Sequence, residues 1–292
     1  MSVKSGTIQG VFMDGDNASY DRNAKKFLSE KPLLARIMKD LVPEFKGCSL
    51  KDIEEKYIEG EPKLTLNTVP IDPDLTNAAR QAAENKAPTR IKGSRNEDSS
   101  PTEGGVTFDI LFRAVAPGTR EAIGLIINIE PQRDAYPGYS LVRRGIYHGC
   151  RLISSQKEVE FKSDNFNGII KVYSIWLVME PPKRNSNSIR RYEIRERVLL
   201  GKGREKVRNY DLMTVIMVYL GGRRRTRNKL LQMLHLIFLE NMEASEKAKK
   251  LKKDFGLELT PTMKGELEGM GSLAEGIAKR VKEKIASVPS AT

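Results

Sequence analysis

Apolar positions along the chain fall at two alternating spacings, and the switches between them outline an α/β order. From Tyr20, Phe27, Leu34, Ile37, Met38 and Leu41 recur at three, four and seven residues, the spacing of a helix. Pro32 is placed to divide that helix in two. Residues 49–57 read as a short helix capped by Ser49, and the Pro-containing stretch 60–75 as irregular or edge-like. Residues 76–105 hold almost no large apolar side chains and read as a long loop inserted in the domain.

The strongest strand pattern follows. Val106, Phe108, Ile110 and Phe112 share one face and Asp109 lies on the other. A turn at 116–121 leads to a second strand over 123–132, with Ile123, Leu125, Ile127 and Ile129 on its apolar face and Asn128, Glu130 and Gln132 on the other. Pro137 then opens a helix to about Ser155, with Val142, Ile146, Cys150 and Ile153 as its apolar stripe. Residues 169–179 are nearly all apolar, as in a central strand covered on both faces, and Pro181 and Pro182 end it. Residues 189–199 alternate again, with Arg191, Glu193, Arg195 and Arg197 on one face. Residues 213–220 read as another buried strand, 226–241 as an amphipathic helix, and 244–286 as charged helices.

This order predicts an α/β fold with a mixed central sheet flanked by helices, plus a helical C-terminal extension. The expected organisation is a flexible N-terminus over 1–19, a main domain over 20–221 with the loop insertion 76–105, and a basic helical extension over 222–292.

Charge sharpens the picture. The chain of 292 residues carries a formal net charge of +12. Residues 1–182 are balanced, with 25 basic and 25 acidic side chains, so the excess lies entirely in 183–292. Residues 183–229 alone hold 15 basic and 4 acidic residues. Confined positive charge points to a polyanionic partner. No apolar run approaches a membrane span. The first residues lack the apolar segment of a signal peptide. Two cysteines, Cys48 and Cys150, are too few for a disulfide framework. The expectation is a cytoplasmic protein with no membrane association. The two histidines, His148 and His235, lack zinc-site spacing, so a metal here would be a hard ion on carboxylates.

Asp109 and Glu130 are the pair to weigh. In one hairpin register Asp109 lies opposite Asn128 and diagonal to Glu130; in another it faces Glu130 directly. Both registers put the two carboxylates on one face, and a slip of one residue separates them. Two carboxylates and a backbone carbonyl suit Mg²⁺ or Mn²⁺, which can polarise a phosphate and activate a bound water. Gln132, on the same face, can orient water or phosphate but brings no charge. The plainer reading is a solvated hairpin face.

Several segments together resemble the PD-(D/E)XK nuclease superfamily, and within it the recombination-promoting nuclease group, also called PD-(D/E)XK family transposases. They are TFDILF (107–112), IINIEPQ (126–132), RRGIYHGCRLISSQ (143–156) and KVYSIWLVM (171–179). AKKFLSEKPLLARIMKDLVPEF (24–45), NEDSSPTEGGVTFD (96–109) and NYDLMTVIMVYLG (209–221) are similar as well. The resemblance covers roughly residues 20–240 and implies a restriction-endonuclease-like core. It implies Asp109 and Glu130 as metal ligands, with the Pro131 carbonyl as a third. Gln132 stands where the superfamily usually has Lys, a position where this group often has Gln. A carboxylate from the first helical region joins some such sites, and Glu30 and Glu44 are the candidates.

For nucleic-acid contact, Arg143, Tyr147 and Arg151 fall on one helical stripe after Gln132. Arg190, Arg191 and the run Arg223, Arg224, Arg225 lead the basic region, where phosphate contacts would make binding salt-dependent. Interleaved aromatics are few, so stacking on single strands is not indicated. Gly201-Lys-Gly-Arg lacks the further residues of a phosphate-binding loop. The function expected is a Mg²⁺- or Mn²⁺-dependent DNA endonuclease of recombination or transposition, with a homo-oligomer compatible. The alternative is an inactive nuclease-fold protein that binds or assembles on DNA.

Overall fold

The computed structural model describes residues 20–64, 97–100, 104–107, 109–117, 123–134, 137–162, 164–221 and 226–270. The expected flexible N-terminus, most of the loop insertion 76–105 and the end of the charged tail lie outside the described residues. The chain divides into two compact units, one spanning Leu34–Arg224 and the other joining the residues up to Leu33 with those from Arg225 on.

In chain order the elements are α1 (20–29), α2 (Lys31–Leu41), β1 (Ile58–Leu64), β2 (Glu97–Ser100), β3 (Gly104–Thr107), β4 (Ile110–Ala116) and β5 (Ile123–Asp134). Then come α3 (Leu141–Ser154), β6 (Lys171–Glu180), β7 (Ser188–Glu193), β8 (Met213–Tyr219), α4 (Lys229–Phe238), α5 (Ala244–Phe255) and α6 (261–270). The break between α1 and α2 falls at Glu30, and Pro32 sits in the first turn of α2, where its missing N–H costs nothing. Ser49 Oγ accepts from the Asp52 amide at 3.0 Å and so caps the turn Leu50–Asp52.

Leu34–Arg224 is built on a six-stranded mixed sheet in the order β1-β4-β5-β6-β8-β7. β1, β4 and β5 are antiparallel neighbours, β6 and β8 run parallel to β5, and β7 closes the far edge antiparallel to β8. α3 is the crossover between β5 and β6, as parallel neighbours require. Val172, Trp176 and Val178 of β6 face α3, and Leu141 and Leu152 of α3 close that core. Tyr173, Ile175 and Leu177 alternate onto the other face and are equally buried. There Glu44, in the turn Pro43–Phe45, accepts from the Tyr173 hydroxyl at 2.7 Å, and Arg191 donates to the Leu41 carbonyl at 2.6 Å.

The unit formed by the chain ends is helical. Phe27 meets Phe238 edge to face with ring centres 6.5 Å apart, and the Tyr20 hydroxyl donates to the Phe238 carbonyl at 2.7 Å. Leu230, Leu234, Ile237, Leu251, Met263 and Leu267 are buried around them. Asn228 caps α4. Gly256 ends α5 in a left-handed conformation (φ 60°) that favours glycine.

Two elements differ from the sequence reading. The alternation across 106–112 belongs to two strands in two sheets. β3 pairs with β2 and ends at Thr107; the chain bends at Asp109 and β4 begins at Ile110. Residues 58–64 form an edge strand on β4 with a register shift between Glu59 and Lys63, so of the irregular or edge-like readings of 60–75 the edge applies as far as Leu64. On 189–199 the strand stops at Glu193 and the rest is exposed coil.

Candidate functional site

Ile110 pairs with Ile129 and Leu111 with Asn128, so the register carried one step further sets Asp109 opposite Glu130. The Asp109 amide donates to Glu130 Oε1 at 3.1 Å. Of the two registers the sequence left open, the structure takes the direct one. β4 begins opposite Ile129, so 130–134 run on with β6 as their neighbour.

Glu130 is 3% exposed, and Asp109 is half-buried. Glu130 pairs with Trp176, so its side chain is on the α3 face. Gln132 pairs with Val178, lies on the same face and is half-buried. Pro131 is buried between them in the strand, opposite Leu177.

α3 brings two further groups. His148 Nδ1 stands 3.6 Å from Glu130 Oε1, close but beyond a hydrogen bond. Arg144, one turn earlier, directs Nε at His148 Nε2 over 3.4 Å and donates from Nη1 to the Tyr139 hydroxyl at 2.8 Å. Its guanidinium lies 5.3 Å from the Trp176 ring centre, and the His148 and Trp176 rings meet edge to face at 5.3 Å. Trp176 Nε1 donates to Ser174 at 2.9 Å. Trp176 is therefore core, as expected, and also the platform on which Arg144 and His148 rest. Burial pushes the His148 imidazole down to about 4; the Arg144 charge acts in the same direction and the Asp109 charge opposes both. At neutral pH His148 is a neutral ring beside a carboxylate.

Two glycines set this geometry. A Cβ on Gly145 would stand 2.8 Å from Val215 Cγ1 and 2.9 Å from Trp176 Nε1, and one on Gly149 would stand 2.6 Å from Met213 Sδ. Neither position admits a side chain at this spacing, and the helix lies correspondingly close to the sheet. The buried face of α3 is therefore Leu141, Gly145, His148, Gly149 and Leu152. Of the expected stripe, Val142 and Ile153 are half-buried and pack against the core, whereas Ile146 and Cys150 are turned outward and exposed.

The same rotation divides the expected phosphate-contacting stripe. Arg143 and Tyr147 are exposed, but Arg151 is 6% exposed and does not share their surface. Sequence reasoning missed Arg144 and His148. Their i, i+4 spacing was a visible signal, but it was masked by the choice of the more apolar stripe.

Arg190 and Arg191 fall on opposite faces. Glu130, Trp176, Met217 and Arg190 form one row across the sheet, so Arg190 shares the α3 face with Glu130 at about 14 Å, three strand spacings away. Arg190 is exposed and lies over the Tyr219 ring. Arg191 is tied to the Leu41 carbonyl on the other face. Arg223, Arg224 and Arg225 lie outside the described residues.

Glu44 does not join Glu130. It binds Lys171 Nζ at 3.1 Å and the Tyr173 hydroxyl, which alternation puts on the face opposite Trp176. Lys171 also pairs with Asp211 at 2.6 Å. Burial, and then the Glu44 hydrogen bond, push the Tyr173 hydroxyl far above its ordinary value. Glu30 accepts from Thr260 at 3.5 Å within the helical unit.

Among the described residues, no three His, Cys, Asp or Glu side chains stand close enough to hold a metal ion between them. The donors at hand are the Asp109 and Glu130 carboxylates and the Pro131 carbonyl. Their hard oxygen chemistry fits Mg²⁺ or Mn²⁺, which takes one or two carboxylates and keeps several waters. Among the described residues no helix is long and apolar enough to cross a membrane. No family model, curated protein or solved structure matches the chain.

Proposed function

We propose that the α/β unit is a Mg²⁺- or Mn²⁺-dependent DNA endonuclease acting in recombination or transposition. The observation that carries it is the side-by-side placement of Asp109 and Glu130, joined by the 3.1 Å contact from the Asp109 amide. The resemblance of 107–132 to the PD-(D/E)XK motif supports the same reading.

In this reading Asp109, Glu130 and the Pro131 carbonyl would hold the metal, which would supply Lewis-acid polarisation of a phosphate and a lowered pKa for a bound water. Gln132 orients that water or a phosphate oxygen. Arg144, braced by Tyr139 and Trp176, supplies the fixed positive charge that Gln132 lacks. Arg143, Tyr147 and Arg190 meet the DNA backbone on the α3 face. The test is plasmid cleavage by purified protein with Mg²⁺ or Mn²⁺. Intact plasmid, or an Asp109→Ala variant that cuts as well as wild type, refutes the reading.

One observation favours an inactive DNA-binding protein of the same fold. Glu130 Oε1 already receives the Asp109 amide and stands beside His148. That reading expects salt-sensitive DNA binding with no metal-dependent cleavage.

A further inference from the structure

The coil after β7 presents an unusual surface. Leu199 and Leu200 are 88% and 96% exposed, at a turn completed by Gly201 with φ 90°. Apolar side chains this exposed are ordinary when scattered singly. Here two stand together at the end of a loop whose limbs are tied at the base. The Glu205 amide donates to Glu196 Oε1 at 2.9 Å across the loop, and Glu205 in turn accepts from the Lys206 amide and Asn209. Arg195 pairs with Glu193. The nearby acids are thus engaged within the loop's own base. What projects beyond is Arg197-Val-Leu-Leu-Gly-Lys-Gly-Arg204, with three cations, three apolar side chains and no acid.

A cationic rim around an apolar point fits a partner with anionic surface and apolar interior. Stacked duplex DNA and an anionic bilayer both qualify. The distribution of charge separates them. Exposed Lys183 and Arg184 lie before β7, Arg190 along it, and Arg195 and Arg197 beyond it. β7 is six residues long, so these cations extend over about 20 Å of sheet edge. A line of cations matches a rod of phosphates better than a single point of insertion.

We propose that the 197–204 tip is a wedge for duplex DNA, with Leu199 and Leu200 entering between base steps while Arg197, Lys202 and Arg204 meet the flanking phosphates. Apolar wedges of this kind unstack a step and kink the helix. The proposal rests on the reading of DNA as partner, but needs neither the metal nor cleavage.

The test uses the full chain in EDTA and short duplexes carrying 2-aminopurine at pyrimidine–purine steps, which unstack most readily. Wild type is expected to bind and raise the fluorescence several-fold. The double variant Leu199→Ala/Leu200→Ala is expected to bind within about tenfold of wild type and to lose the rise. Both leucines are exposed, so an unchanged melting temperature verifies the fold. Arg197→Ala is expected to lower the salt dependence of binding by about one counterion. Binding without a rise, or the same rise from the double variant, overturns the wedge and leaves the nuclease reading standing. Leucine-dependent flotation with phosphatidylserine vesicles and no DNA binding overturns the wedge and its DNA partner in favour of a bilayer. Binding to neither probe overturns it as well.

Discussion

Glu130 and Asp109 are linked through the main chain, with the Asp109 amide donating to Glu130 Oε1 at 3.1 Å at the bend where β4 begins. One side chain thus holds the bend that positions the other carboxylate. Glu130→Gln keeps an acceptor for that amide and removes the charge. Isothermal calorimetry is expected to show Mn²⁺ uptake by wild type and none by this variant, with a nearly unchanged melting temperature. Glu130→Ala deprives the amide of its acceptor and is expected to cost about 1–3 kcal/mol in urea unfolding.

Arg144 reaches His148, which in turn stands beside Glu130. In the nuclease reading Arg144→Ala lowers the cleavage rate about 100-fold or more and leaves Mn²⁺ uptake measurable by calorimetry. Equal cleavage by the variant assigns Arg144 to structure alone.

His148 predicts an acid sensitivity. Its folded-state value of about 4 lies below the ordinary 6.5, so the unfolded chain takes up the proton first. The stability held by the neutral ring is complete above about pH 6.5 and is lost as pH falls towards 4. Full loss corresponds to about 3 kcal/mol. Urea midpoints measured from pH 7 to 4 are expected to fall more steeply for wild type than for His148→Gln.

Two glycines predict opposite outcomes for the same substitution. Gly145→Ala drives a methyl into Val215 and Trp176 and is expected to destabilise by about 1–3 kcal/mol despite alanine's better helix propensity. Gly265, in α6, has open space at its Cβ position, so Gly265→Ala is expected to stabilise by about 0.5–1 kcal/mol. Thermal melts of both variants decide it.

Glu44 is expected to be silent in metal binding. Its carboxylate serves Lys171 and Tyr173 on the far face of the sheet. Glu44→Gln should leave Mn²⁺ calorimetry unchanged while lowering stability by about 1–2 kcal/mol.

The elements legible in the sequence are those whose pattern is set by burial alone. β6 and β8 are buried on both faces and read as continuous apolar runs. The β4–β5 hairpin was legible from alternation, and Glu130 and Gln132 from their place on its second strand. Asp109 was placed on the same face as Glu130, with the direct and diagonal registers both open, but wrongly within a strand, because alternation continues unbroken across a bend that changes sheets. α3 was misoriented for a different reason. Glycine carries no apolar signal, yet Gly145 and Gly149 face the sheet, and the middle of the stripe with more carbon, Ile146 and Cys150, is turned out. With it went Arg144, His148 and the burial of Arg151. The contrast between Arg190 and Arg191 follows from strand alternation once β7 is fixed, but its edge position required the sheet order.

The pairing of Tyr20 with Phe238 spans 218 residues of chain. At the pace of ribosomal synthesis α1 waits about 10–45 s before its helical partners have emerged. During that interval Phe27 lacks the Phe238 ring that later meets it edge to face. The α/β unit can be complete by then, so the nascent protein carries a finished sheet behind a greasy, unescorted leading helix. That window is where a chaperone would have something to hold.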